Sequence, residues 1–207
     1  MKIDPSDTAL LICDMQNDFV HPDGAYARGG IFSQPIADTI LRLAAVAKAA
    51  RRAGLVVVST NFTLVHGRGG KAYIADHLLK LRPFLRSGDF ASGSWGNDTI
   101  DELQPIDIKC EKVAYNAFHQ SRLEWSLRHA GISKLIACGI VTNGGLASTV
   151  RGAQVLEFET TVLSDGCATI NPELHEPNIK ALASVAEITT CAEMVRQLEM
   201  LPAFAEA

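Results

Sequence analysis

Gly139-Ile-Val-Thr-Asn-Gly-Gly-Leu-Ala-Ser-Thr149 closes an apolar run and opens a helical pattern, with two consecutive glycines in what should be the helix's first turn. Glycine costs a helix roughly 1 kcal/mol relative to alanine, and a helix start does not require it. A strand that turns at once into a helix through glycines is the unit of a parallel α/β sheet. It is also a place where a ligand can approach the backbone and meet free N–H groups. A tight turn carrying glycine for packing alone is the plainer reading.

Working outward, the same alternation recurs. Ala9-Leu-Leu-Ile-Cys13 and Leu55-Val-Val-Val58 are short and bulky, as buried strands are. Between them Ile36, Ile40, Leu43 and Ala47 make a helical stripe, with Ser33 placed as N-cap and Gly54 as terminator. Residues 61 to 75, with Gly67, Gly69 and Gly70, read as an irregular excursion; Gly67-Arg-Gly-Gly-Lys71 lacks the spacing of a phosphate loop. A third strand spans Ile106 to Glu111 and alternates polar with apolar, as strands nearer a sheet edge do. Ser121-Arg-Leu-Glu124 has the spacing of a capping box, opening a helix that ends at Gly131. Leu135-Ile-Ala-Cys138, Thr161-Val-Leu163 and Glu187-Ile-Thr-Thr190 complete six strands, and Ala192 to Leu201 forms a last helix. The pattern predicts a single α/β domain over residues 1–207, a three-layer α/β/α sandwich around a six-stranded, parallel, Rossmann-like sheet.

Composition limits the function. A net charge of −4 without clustered cations argues against nucleic acid. No apolar stretch reaches 18 residues, so no membrane span is expected. Five cysteines without framework spacing, and a polar start, suit a cytoplasmic chain with free thiols. The six histidines have no ligand spacing, so neither a metal nor another cofactor is expected.

In parallel sheets ligands bind beyond the carboxyl ends of the strands. Asp14 follows the first strand, where a poorly hydrated carboxylate is open to proton transfer, or else serves as a loop cap. Lys112 ends the third, as a partner for that carboxylate or as a solvated strand-end cation.

Together, Asp14-Met-Gln16, Lys112-Val-Ala-Tyr-Asn-Ala-Phe118 and the 139–149 turn resemble the isochorismatase-like hydrolase superfamily. Trp95-Gly96, Leu123 to Gly131 and Ser164-Asp-Gly-Cys-Ala168 extend that resemblance over nearly the whole chain. Most of the superfamily are amidases using Asp, Lys and Cys. The resemblance implies Asp14 as acid/base, Lys112 as its lysine and Gly145 at the position of the cysteine nucleophile. It also implies a cis peptide between Ile140 and Val141, with the N–H groups of Val141 and Gly145 facing an oxyanion. No other cysteine sits at the helix N-terminus to substitute: Cys13 and Cys138 read as core, Cys110 as strand, Cys167 as part of a turn after the fifth strand near the sheet rim, and Cys191 as too late in the chain.

Isochorismatases of the superfamily also have glycine here and cleave a vinyl ether without a covalent intermediate. The leading expectation is therefore hydrolysis of a small-molecule substrate by water, with Asp14 as proton donor and Lys112 orienting it. Val141 and Asn143 stand where isochorismatases carry tyrosine and histidine, and Thr142-Asn143 reads more like the amidase branch, including ureidoacrylate and carbamoyl-type amidohydrolases. C–N cleavage by activated water, or a decayed homologue that binds a small molecule, are the alternatives. Gln16, Asn61, Phe62, Trp95, Tyr115, His119, Thr142, Asn143 and Gly144 are candidate substrate contacts. The superfamily's metal-dependent nicotinamidases use Asp-x-His after the second strand, where Ser59-Thr-Asn-Phe62 has no histidine. Asp165 is expected to be a structural cap. Relatives form dimers or tetramers, and Trp125, off the stripe of its helix, is a candidate contact in a homodimer or homotetramer.

Overall fold

A computed structural model describes residues 1–204. Six strands form one sheet: β1 (Thr8–Cys13), β2 (Val56–Phe62), β3 (Ile108–Lys112), β4 (Lys134–Ile140), β5 (Glu159–Ala168) and β6 (Glu187–Thr189). Their order is β3-β2-β1-β4-β5-β6, and every pair is parallel. The order reverses between β1 and β4, which places the switch point of the sheet beside Asp14 and the 139–149 turn.

Among the described residues eight α-helices accompany the strands: α1 (Asn17–Val20), α2 (Ala25–Arg28), α3 (Gln34–Arg52), α4 (Asp76–Lys80), α5 (Leu123–His129), α6 (Ala147–Val155), α7 (His175–Leu182) and α8 (Cys191–Glu199). The period-2 geometry of β1 sends Leu10 and Ile12 to one face and Ala9, Leu11 and Cys13 to the other, so both faces need cover. On the first face α3 buries Ile36, Leu43, Val46, Ala47 and Ala50, and α8 buries Met194 and Leu198. On the second lie Leu123 and Leu127 of α5, Val150 and Ala153 of α6, and Ile179 and Leu182 of α7. Each such aliphatic side chain contributes about 1.5–3 kcal/mol on burial. The expected three layers are present.

Local departures from the expected pattern have physical causes. Strand β5 runs on to Ala168, with a register shift against β4 between Ala137 and Gly139, so Ser164 to Ala168 is strand rather than turn. Strand β3 begins at Ile108 because the Asp107 carboxylate takes the Val57 N–H at 2.7 Å. No capping box forms at Ser121: Arg122 is the N-cap, and Ser121 Oγ instead accepts from Leu123 N and donates to Ala117 O. Ser33 does occupy the N-cap of α3, but its hydroxyl donates to Thr169 O at 3.2 Å instead of capping. Asp165 is a cap, accepting from Cys191 N at 2.6 Å where α8 begins. Among the described residues no helix is long and apolar enough to cross a membrane.

Candidate active site

Asp14 is the first residue beyond β1. It has a left-handed backbone (φ 55°), an unusual conformation for a side chain-bearing residue, and its N–H is held by Thr60 O at 2.9 Å. This turn swings the carboxylate over the end of β2. Lys112, the last residue of β3, lies two strands away, and its stem crosses the ring of Phe62 on β2, with Nζ 5.7 Å from the ring centroid. Only a long side chain could bridge that gap, and Lys112 Nζ meets Asp14 Oδ2 at 2.7 Å. A second donation, to Ala114 O at 3.1 Å, fixes the ammonium.

The pair is almost withdrawn from solvent, with Asp14 5% and Lys112 3% exposed. Burial pushes the Asp14 carboxyl above its ordinary pKa, while the Lys112 charge and the Thr60 hydroxyl, 3.4 Å away, pull it back. A buried acid so balanced can take a proton and return it.

The third contribution comes from the end of β4. Gly139 lies against β1 so closely that a side chain there would strike the Cys13 carbonyl, and its φ of 107° is one that glycine tolerates. The Ile140–Val141 peptide is cis. A π-helical turn, Thr142–Leu146, then feeds directly into α6. The N–H of Val141 makes no hydrogen bond among the described residues, and Val141 faces the same cavity as Asp14. A Cβ built on Gly145 would lie 2.8 Å from Asp14 Oδ2 and 3.7 Å from Lys112 Nζ. The carboxylate therefore already crowds the position that any side chain at 145 would need.

Above these groups is a cavity of about 460 Å³. Its floor is Asp14, Lys112, Ile140, Val141 and Gly145, and its walls are mostly apolar, from Phe19 to Ala37, from Phe62 to Val65 and from Tyr73 to Leu78. Arg82 and Tyr115 also line it.

The candidate substrate contacts divide sharply. Phe62, Tyr115, Val141 and Gly145 line the cavity. Gln16 and Asn61 do not: both are fully buried beneath it. The Gln16 amide donates to Phe62 O and Asn97 O, each at 2.9 Å, and accepts from Phe62 N at 2.7 Å; Asn61 donates to Asn97 O at 2.7 Å. Their polar groups are used in joining β2 to the 97–99 segment. Trp95 is outside the cavity, 53% exposed and edge-on to His21. His119 is an exposed loop residue away from the cavity. Thr142 is buried on His175 at 3.0 Å, Asn143 accepts from Thr169 at 2.5 Å, and Gly144 faces the Tyr115 ring. These three belong to the turn's support rather than to the cavity wall.

Sequence reasoning missed Phe19, Tyr26, Ile31, Phe32 and Arg82, all of which line the cavity. The available signal was an aromatic-rich segment, 19–32, without helical or strand periodicity; such apolar residues must cover something.

All five cysteines are buried and none lines the cavity. Burial raises every thiol, Cys13 and Cys191 to about 12 and Cys138 and Cys167 well above the usual value, so none supplies a thiolate near neutrality. Among the described residues no group of three or more His, Cys, Asp or Glu is placed to hold a metal ion.

Known proteins bear on this arrangement. The chain is 33% identical over 184 residues to the ureidoacrylate amidohydrolase RutB of Caulobacter segnis, an alignment covering 84% of this chain and 77% of that one. Its fold matches a cysteine hydrolase from Pseudomonas syringae pv. phaseolicola 1448A, with a TM-score of 0.80, 26% identity, and 96% and 95% of the two chains covered. An N-carbamoylsarcosine amidase from Thermoplasma acidophilum shares the fold at a TM-score of 0.68 and 24% identity, covering 89% of this chain and 96% of that one. The isochorismatase domain family matches residues 8–193, from the start of β1 into α8, and the chain is accordingly a hydrolase of the isochorismatase family.

Proposed function

We propose that the protein hydrolyses a C–N bond in a small ureido or amide substrate by direct attack of water, with no covalent intermediate on the enzyme. The observation that carries this reading is the buried Asp14–Lys112 pair, 2.7 Å apart, whose carboxylate oxygen lies 2.8 Å from where a Cβ of residue 145 would be. In the family resemblance, position 145 belongs to the cysteine nucleophile. Here glycine occupies it, and the acid leans into the vacated space.

The chemistry follows from those positions. A substrate carbonyl above Gly145 and Val141 has a water between it and Asp14. Asp14 takes a proton from that water as its oxygen bonds to the carbonyl carbon. The unbonded N–H of Val141 and the positive end of α6 favour the negative charge that develops on the carbonyl oxygen. The C–N bond then breaks as Asp14 passes its proton to the departing nitrogen, and Asp14 is regenerated. Lys112 keeps the carboxylate ionised in the resting site, and burial keeps the proton transferable.

Glycine at 145 taken alone favours vinyl-ether cleavage. The amidohydrolase relatives at 32–33% identity, together with Val141 and Asn143 in the turn, move the balance to C–N cleavage. The test is turnover of ureidoacrylate, a set of N-carbamoyl acids and isochorismate, with products identified by mass spectrometry. Release of amine and the carbamate-derived fragment is expected. Cleavage of isochorismate alone would replace this reading with the vinyl-ether one; tight binding of one compound with no turnover of any would replace it with a binding protein.

A further inference from the structure

Arg82 is the feature of the cavity that the hydrolytic chemistry does not use. It follows α4, is partly buried, and lines the same cavity as Asp14 and Lys112. No carboxylate of the described residues lies within ion-pair distance of it. Its guanidinium donates instead to two phenols, from Nε to Tyr26 Oη at 3.0 Å and from Nη2 to Tyr115 Oη at 3.1 Å. Each phenol oxygen accepts from Arg82, so each O–H remains available to donate. A fixed cation flanked by two hydroxyl donors, in a cavity otherwise walled mostly by apolar groups, has the chemistry to receive an anion.

Tyr115 ties this cation to the 139–149 turn: Cε1, beside its hydroxyl carbon, lies 3.2 Å from where a Cβ of Gly144 would be, and the hydroxyl meets Arg82. Phe62, Phe19 and Tyr26 form a continuous aromatic run, with centroids 6.2 and 4.8 Å apart, that ends at Arg82.

We propose that Arg82, Tyr26 and Tyr115 form a carboxylate clamp, and that the substrate carries a carboxylate held by this clamp while its scissile bond lies over the Asp14–Lys112 floor. This deepens the hydrolytic reading by naming the substrate class, and it rests on that reading for the position of the scissile bond. The clamp itself is testable without turnover.

The test uses a pair of ligands with no hydrolysable bond, 4-ethylbenzoate and the neutral ketone 4-ethylacetophenone, titrated calorimetrically into the intact protein. A charge-assisted hydrogen-bond set should favour the acid about tenfold to a hundredfold. Arg82→Gln should erase that ratio while leaving binding of the ketone unchanged, and Arg82→Lys should restore part of it. Should Arg82→Gln prove unstable, Tyr115→Phe, at a half-exposed ring, should reduce the ratio severalfold. Equal binding of acid and ketone by the wild-type protein, or a ratio indifferent to both substitutions, would overturn the clamp. Failure to hydrolyse any C–N substrate would leave these titrations unaffected, so the two readings fail separately.

Discussion

The floor and the wall of the cavity are built on opposite principles. The floor is charged, rigid and carried by the ends of three strands, with Asp14, Lys112 and the 139–145 turn fixed by the sheet. The wall is apolar and carried by the connections after β1 and β2, with short helices and the 19–37 and 62–82 segments. A parallel sheet forces its strand ends into register, so the groups that must meet within hydrogen-bond distance sit there. Shape and selectivity have no such requirement and are left to the connections. Substitutions in the floor should therefore change the rate, and substitutions in the wall should change what binds.

The largest effect should come from Asp14→Asn. Removing the group that carries the proton should lower kcat by about 10²–10⁴-fold, with a folded chain by circular dichroism and a lowered thermal midpoint, because Lys112 is left a buried cation without its counter-charge; retained turnover would break the assignment of chemistry to the floor. Next is Lys112→Met, which leaves a buried carboxylate without its cation and should cost about 3–5 kcal/mol in urea unfolding at neutral pH. Lys112 is what lowers the Asp14 pKa against burial, so its removal lets that pKa rise further above the unfolded value of 3.8. The neutral acid is then favoured by the fold. The variant's stability should be fullest in acid below about pH 4 and should fall as pH climbs through the raised value; a loss in the opposite direction would contradict the pair.

The third expectation concerns Gly145→Ala. The added methyl meets Asp14 Oδ2 at 2.8 Å, and displacing the acid by about an ångström should cost up to about 10²-fold in kcat with little change in KM. Gly145→Cys should suffer likewise rather than gain a working nucleophile.

Much of this floor was legible in the sequence, because short apolar runs followed by Asp14, Lys112 and Gly144-Gly145 mark strand ends without knowledge of the fold. Gln16 and Asn61 depart from expectation for a definite reason. Gln16 lies two residues from Asp14 and Asn61 one from the wall residue Phe62, but the turn after β1 and strand alternation in β2 bury their amides, where they satisfy backbone groups of Phe62 and Asn97. Trp95 rests on His21 outside the cavity, because nearness to the site along the chain does not fix which way an exposed ring faces. The wall is illegible because the segments 19–32 and 62–82 fold against each other through long-range aromatic packing, such as Phe19 with Phe62 at 6.2 Å, which no local periodicity encodes.

Two smaller expectations sharpen the same contrast. Gln16→Leu should leave the backbone groups of Phe62 unsatisfied and cost about 1–3 kcal/mol of stability, read by thermal denaturation, with kcat nearly unchanged. Phe32→Ala, at an exposed wall residue, should raise KM severalfold with kcat and stability intact. A kcat effect at Phe32 would erase the division between floor and wall.

The central claim is that water, activated by Asp14 beside Lys112, breaks the bond without any covalent attachment to the chain. Intact-protein mass spectrometry on enzyme quenched while it turns over ureidoacrylate addresses this directly. The account predicts accumulating product and a chain at its unmodified mass throughout; a substrate-derived mass increment on the chain would contradict it.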